Sequence, residues 1–454
     1  MINKGKYIIT SFFTKGHERT LLAKKNIAAS FIIKIMTVLI SFASYPLTLK
    51  YLNPTRNGIW LTLTSVIAWI LFFDIGLGNG LKNKFAECKA KKKLLLTKKY
   101  VSSTYAIFGI ILFVLIVVFS IINPYINWAK FLNAPPEYAQ ELSALAWIMF
   151  LSMCFMFILR LLISIVNGDQ RVALGSFIDM IGQLLCLIGI IILIKTTEGS
   201  LIKIGWVMGS LPIITYLGAS VILFNGRYKA VKPSLKCVNF ELSKQMVNLG
   251  LRFFIAALSS LVLFQTTNIL ITRMTDPYEV TIYNTAHKIF NFGLSLLIII
   301  IAPYWAAYSD AFALKDFSWM KQTFRKLLYL FGLFLLGEII LLALSDWIYL
   351  HWIKEMVSIP FTMSLSVCIY ICGIGWTTIC IYPVNGIGKM KLQLYSSIFE
   401  MITIIPLALF LGKRFGAIGI VLAPMIVCIP RMIWSPIQAK KLVSGTAKGI
   451  WEKQ

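Results

Sequence analysis

Nine ionisable side chains stand inside long apolar runs of this 454-residue chain: Lys34, Asp74, Arg160, Asp179, Arg252, Lys288, Glu338, Glu400 and Arg431. A charge taken out of water is costly, so each needs a partner, water or a ligand. Lysine and arginine in a wet cavity attract phosphate. Lys34, Asp74, Arg252 and Lys288 fall in the first, second, seventh and eighth runs. Facing one cleft, they would give it three cations and one carboxylate, a seat for a phosphate headgroup. Arg160 and Arg431 read as snorkelling or paired, with Asp179 a partner for Arg160. Asp74, Glu338 and Glu400 are too short to reach far, which makes them candidates for a coupling site. His287 beside Lys288 is either a proton carrier or a packed neutral ring.

The segment DIGLGNGLKNK (74–84) alternates Gly76, Gly78 and Gly80 before Lys82 and Lys84. Helix is weak there, which suits a gate or a phosphate contact, or else a plain helix end with glycine stops. The sequence holds no set of metal ligands, phosphate-binding loop or nucleophile motif. No cofactor is therefore expected, beyond proton or sodium coupling.

The elements that position these residues are membrane spans. Hydrophobic residues make up 58% and charged residues 14% of the chain, with a mean hydropathy of +0.79. Twelve runs approach the ~20 residues needed to cross a bilayer. They are 27–50, 57–81, 100–122, 142–166, 173–195, 201–224, 245–272, 282–308, 325–346, 359–382, 393–411 and 416–438. The net charge of +26 sits between the runs, which excludes a soluble nucleic-acid-binding face. By alternate connections, about 30 Lys and Arg fall on one side and about 9 on the other. The rich side is expected in the cytoplasm, with both termini. Tyr51, Trp60, Trp128, Trp347 and Trp352 then fall near external span ends, as an interfacial belt would.

The halves repeat weakly. YLNPTRNGIW (51–60) matches MTDPYEVTIY (274–283), aligning Pro54 with Pro277 and Trp60 with Tyr283. NGDQRVALGSF (167–177) matches NGIGKMKLQLY (385–395) at a similar offset. The expected fold is an all-α membrane protein of about 12 transmembrane helices. They form two six-helix lobes, a parallel repeat about an axis along the membrane normal. The organisation is a basic tail 1–26, an N-lobe 27–224, a basic linker 225–244, a C-lobe 245–438 and a tail 439–454.

The stretch NGIWLTLTSVIAWILFFDIGLGNGLKNKFAE (57–87) resembles the signature region of bacterial polysaccharide transporters and O-antigen flippases. So do PYWAAYSDAFALKDFSWMK (303–321), the Asn-Gly after the tenth span, and FGAIGIVLAP (415–424). The resemblance implies the multidrug/oligosaccharidyl-lipid/polysaccharide exporter superfamily, with a MATE-like fold and a cationic central cavity. It further implies a flippase in the bacterial inner membrane. The substrate would be undecaprenyl-pyrophosphate-linked oligosaccharide, moved to the periplasmic leaflet by alternating access. Partners would be that substrate, membrane lipids and other polysaccharide assembly proteins. Two other classes compete. A cation-coupled multidrug exporter would want a more acidic cavity. A polysaccharide polymerase or ligase would want a large external loop, but the longest expected is 123–141.

Overall fold

The computed structural model describes residues 18–69, 77–242, 258, 262 and 264–453. Arg252, Asp74 and Gly76 lie outside them. The described chain is helical, without a strand. Its long helices are α1 (Glu18–Leu52), α2 (Pro54–Ala68), α3 (Leu77–Ala90), α4 (Leu94–Ile122), α5 (Ala139–Leu159) and α6 (Leu161–Gly168). There follow α7 (Val172–Thr196), α8 (Leu201–Asn225), α9 (Pro277–Ile301), α10 (Tyr304–Ala313), α11 (Phe317–Ala343), α12 (Ser345–Ile353), α13 (Phe361–Ile387) and α14 (Lys391–Val443). Residues 264–274 are also helical.

Among the described residues, nine helices are long and apolar enough to cross a membrane. The twelve expected spans map onto them with three differences. α14 carries two spans in one continuous element, divided at Gly416, whose φ of 60° lies where a β-carbon is strained. The second span is described as α2, to Ala68, and α3, from Leu77, with 70–76 between them outside the described residues. The seventh is described chiefly over 264–274. Gly78 and Gly80 are helical in α3, and Gly80 is buried.

The internal match corresponds to a structural one. Pro54 and Pro277 both open helices at the first position, where a missing N–H costs nothing. Each is preceded by a capping residue: Asn53 accepts from the Arg56 amide, and Asp276 from the Glu279 amide. The eighth span divides into α9 and α10. The paired Asn-Gly segments also act alike. A β-carbon at Gly168 would lie 2.8 Å from the Lys82 carbonyl oxygen on α3, and one at Gly386 would lie 2.5 Å from the Trp305 carbonyl oxygen on α10. Each glycine lets one helix end rest on the backbone of the half-span beside it.

Buried side chains form separate cores. One runs through 262–443 and takes in Leu49 from α1; two others lie within 51–231. The segment after α8 is pinned along α4, the Ser234 and Asn239 amides donating to the Ser102 and Ser103 hydroxyls at 3.0 and 2.8 Å.

Two expectations about side chains change. Tyr51, Trp60 and Trp128 are buried rather than interfacial; Trp128 donates to Asn123 at 2.7 Å, and the Tyr51 hydroxyl meets Thr197 at 2.9 Å. Trp352 stacks on Phe42 at 4.2 Å, whereas Trp347 is exposed. The reason is core demand: a large ring with a polar atom serves a packed bundle when that atom finds a partner. Asp179 is met by the Tyr216 hydroxyl on α8, not by Arg160.

At the end of the bundle rich in Lys and Arg, Asp169 is buried among Lys89, Arg171 and Arg227. It also accepts from Tyr228 at 3.0 Å. It ties the ends of α3, α6 and α8 to one carboxylate. Asp169→Asn removes the carboxylate from these half-exposed cations and should lower stability by about 1–2 kcal/mol. Thermal unfolding of the purified protein in detergent checks this; an unchanged midpoint contradicts the role.

Candidate functional site

The α1–α8 set and the set from 264 onward meet along one seam, centred on α2 and α9, the two proline-started helices. Gly58 sits directly against the Pro277 backbone, with no room for a β-carbon. The contact is reciprocal: the Thr281 hydroxyl, at the position matching Gly58, donates to the Pro54 carbonyl at 2.7 Å. Asn57 donates to the Thr281 hydroxyl at 3.3 Å. Packing backbone on backbone is how helices associate in lipid, where no hydrophobic force separates them from the solvent.

Deeper along the seam the pairs are again small and polar. Thr62 meets Thr272, Asn268 donates to Ser65 at 2.9 Å, and Asn284 donates to Asn268 at 2.8 Å. The Tyr45 hydroxyl meets Thr285 at 2.8 Å. Lys288 donates to the Ser41 hydroxyl at 2.7 Å, its ammonium 6.0 Å from the Tyr45 ring. Above these, Asn133 donates to the Thr275 carbonyl at 2.7 Å, and Arg273 reaches the Lys130 carbonyl at 3.2 Å.

All these contacts lie toward the end at which α2 and α9 begin. Ser41, Ser65 and Lys288 each stand eleven residues along their helices from that end, roughly 16 Å, or half a bilayer. These contacts close the seam from one face to mid-depth, where Lys288 is the charged group.

The other expected residues lie apart from this seam or at its margin. Lys34, on α1, is exposed and has no polar partner among the described residues. His287 lies against the Tyr283 ring, 5.6 Å between centroids. Gly78 and Gly80 lie on α3; Lys82 is exposed. Lys84 is bonded to Glu87 at 2.9 Å, and the Lys91 and Lys84 bonds hold the Glu87 carboxyl down at about 2. Glu400 pairs with Arg431, which also donates to Ser397 at 3.2 Å, so both charges of that pair are engaged.

Glu338 differs. It is buried on α11, and neither carboxyl oxygen has a hydrogen-bond partner. Its Oε1 abuts Gly293 on α9, and its own backbone carbonyl lies 3.8 Å from the Cys368 thiol on α13. Among the described residues no cluster of metal-ligating side chains occurs.

Sequence reasoning missed most of the seam, which is built from uncharged residues. A signal was present: Ser41 and Tyr45, Asn268 and Thr272, and Thr281, Thr285 and Lys288 recur at helical spacing within apolar runs.

Residues 23–309 match the family described as "Polysaccharide biosynthesis protein". A protein of Salmonella typhimurium named "Putative O-antigen transporter" is 24% identical over 338 residues, 72% of this chain and 73% of that protein. One of the same name from Salmonella typhi is 20% identical over 330 residues, covering 73% of each. Among solved structures, an inward-facing MATE family multidrug resistance transporter of the MOP superfamily superposes with a TM-score of 0.75. It is 16% identical and covers 93% of this chain and 100% of that one. An outward-facing structure of the same description scores 0.64 at 15% identity, covering 92% and 96%. These likenesses establish the MATE-type fold. The chain belongs to the polysaccharide biosynthesis protein family and is a multi-pass membrane transporter, not an enzyme.

Proposed function

We propose that this transporter moves a lipid-linked oligosaccharide, of the O-antigen or a related surface-polysaccharide type, from the cytoplasmic to the periplasmic leaflet by alternating access. It would reside in the bacterial inner membrane with both termini in the cytoplasm, the two lobes joined by the segment 225–244. The observation that carries this reading is the seam, closed from the α2–α9 end to Lys288. With the Lys- and Arg-rich end cytoplasmic, the seam is the periplasmic gate of an inward-open state. The higher likeness to the inward-facing solved structure supports that state. A lysine at the head of the cleft suits a pyrophosphate rather than a cationic drug. The names of the Salmonella relatives support the substrate class. Arg252 and Lys34 are proposed as further phosphate contacts along the entry, with Asp74 beside them.

The gate must be strong enough to hold and weak enough to open. Interhelical hydrogen bonds in membranes average about 0.6 kcal/mol each. A handful of them amounts to a few kcal/mol. That is the scale on which a ligand can reverse a two-state population, about 5.5 kcal/mol for a complete switch.

For coupling, we assign the ion site to Glu338. Sodium needs several oxygen ligands, whereas a lone carboxyl facing glycine and thiols can exchange only a proton. Glu338 touches α9, the helix that also carries Thr281, Thr285 and Lys288 of the seam, which gives its charge state a route to the gate.

Asn57→Cys with Thr281→Cys should form a disulfide under mild oxidation and stop surface-glycan assembly in a strain lacking its native flippase. Reductant should restore assembly; unchanged glycan with the bond formed refutes the gate. Lys288→Met should lower glycan output about ten-fold or more at normal protein level, with Lys288→Arg intermediate. Normal output from Lys288→Met removes it from the pathway. Glu338→Gln should abolish pH-gradient-driven uptake in proteoliposomes while substrate binding persists; a sodium gradient driving the unsubstituted protein equally well contradicts proton coupling.

A further inference from the structure

A second site lies inside the α1–α8 set, away from the seam. A cavity of about 500 Å³, open on one side, is bordered by α2, α3, α4, α5, α6 and α8. That volume falls within the ~300–1,000 Å³ of small-ligand pockets. Its wall is unusual in composition. Met149, Met153, Met156 and Met208 line it with Phe157, and the one charged side chain there is Arg160. Methionine stems are flexible and polarizable, and they adapt to a chain without fixing its shape.

Arg160 stands where α5 gives way to α6, eight residues and roughly 12 Å from the end of α6 at Gly168. Its guanidinium has no hydrogen bond or ion pair among the described residues. The carboxylate expected to neutralise it, Asp179, is bonded by Tyr216, and Arg160 lies within electrostatic reach of that Tyr216 hydroxyl without bonding to either. The cavity also reaches Gly78 on α3.

We propose that this cavity binds the phosphate of an anionic lipid on Arg160, with the start of its hydrocarbon chain among the methionines. A cation in an apolar wall selects a ligand with one anionic head and an apolar body. An oligosaccharide is excluded, since its many hydroxyls would meet few partners there. The site goes beyond the transport reading, which places the headgroup on Lys288 in the seam. Trp60 and Thr64 of α2 line the cavity, while Asn57, Thr62 and Ser65 of the same helix hold the seam. An occupant would thus bear on the helix that closes the gate. The phosphate could come from a bulk phospholipid or from a polyprenyl carrier, and the test separates these.

Native mass spectrometry of the purified full chain in neutral maltoside, titrated with geranylgeranyl phosphate, dioleoyl phosphatidylglycerol or uncharged geranylgeraniol, provides that test. The native chain should retain at least one phosphate lipid about ten-fold more tightly than the alcohol. Arg160→Gln should remove that preference, Arg160→Lys should keep part of it, and Met153→Trp, which fills the cavity, should weaken all three ligands. Preference for the prenyl phosphate names the carrier as source; preference for phosphatidylglycerol names the bilayer. Equal retention of the alcohol, or Arg160→Gln binding phosphate lipids as the native chain does, overturns the proposal. Because binding is read without transport, this result is independent of the flippase assignment.

Discussion

The contact between Gly58 and the Pro277 backbone sets the geometry of the rest. In a bilayer, leucine facing leucine gains little over leucine facing lipid, so two bundles stay together only where backbones approach or polar groups pair. Glycine at 58 permits the approach, and Thr281 turns its counterpart into a hydrogen bond. Once α2 and α9 meet there, α2 brings Thr62 and Ser65 to Thr272 and Asn268 of the 264–274 helix, and α9 brings Thr285 and Lys288 to Tyr45 and Ser41 of α1, down to mid-depth.

The same economy of polar groups explains which intramembrane charges are tied down. Glu400 and Arg431 neutralise each other across the two halves of α14, and Asp179 is held by Tyr216. Such pairs fix one bundle internally and leave its charge balance unaffected by a passing substrate. Lys288, Glu338 and Arg160 are different in kind. One is held by a single hydroxyl at mid-depth in the seam, one has no partner for either oxygen, and one lines a cavity of methionines. Burial without full satisfaction is costly, and it is concentrated where ligand, proton and lipid would act.

Much of this was legible in the chain. Span length and the absence of charge gave ten of the twelve expected spans cleanly. The repeat was readable from two prolines and two Asn-Gly pairs because those residues have strict backbone roles: proline opens a helix, and glycine allows close approach. The aromatic placement was not legible. Trp60 and Trp128 sit at sequence positions that suit an interface, yet tertiary packing buried them. The site was half visible: charges announce themselves in an apolar run, whereas threonine and asparagine do so only through their spacing.

The central claim is that the two bundles exchange one closed face for the other. Double electron–electron resonance on spin-label pairs tests it most directly, with one pair at exposed Lys91 and Lys315 near the basic end and one at exposed Lys130 and Lys354 near the seam end. In nanodiscs without substrate, the seam pair should give a narrow short distance and the basic pair a broad long one. Adding undecaprenyl-pyrophosphate-linked oligosaccharide should lengthen the first as it shortens the second. Distances that rise or fall together, or a basic end already closed without substrate, would contradict the account.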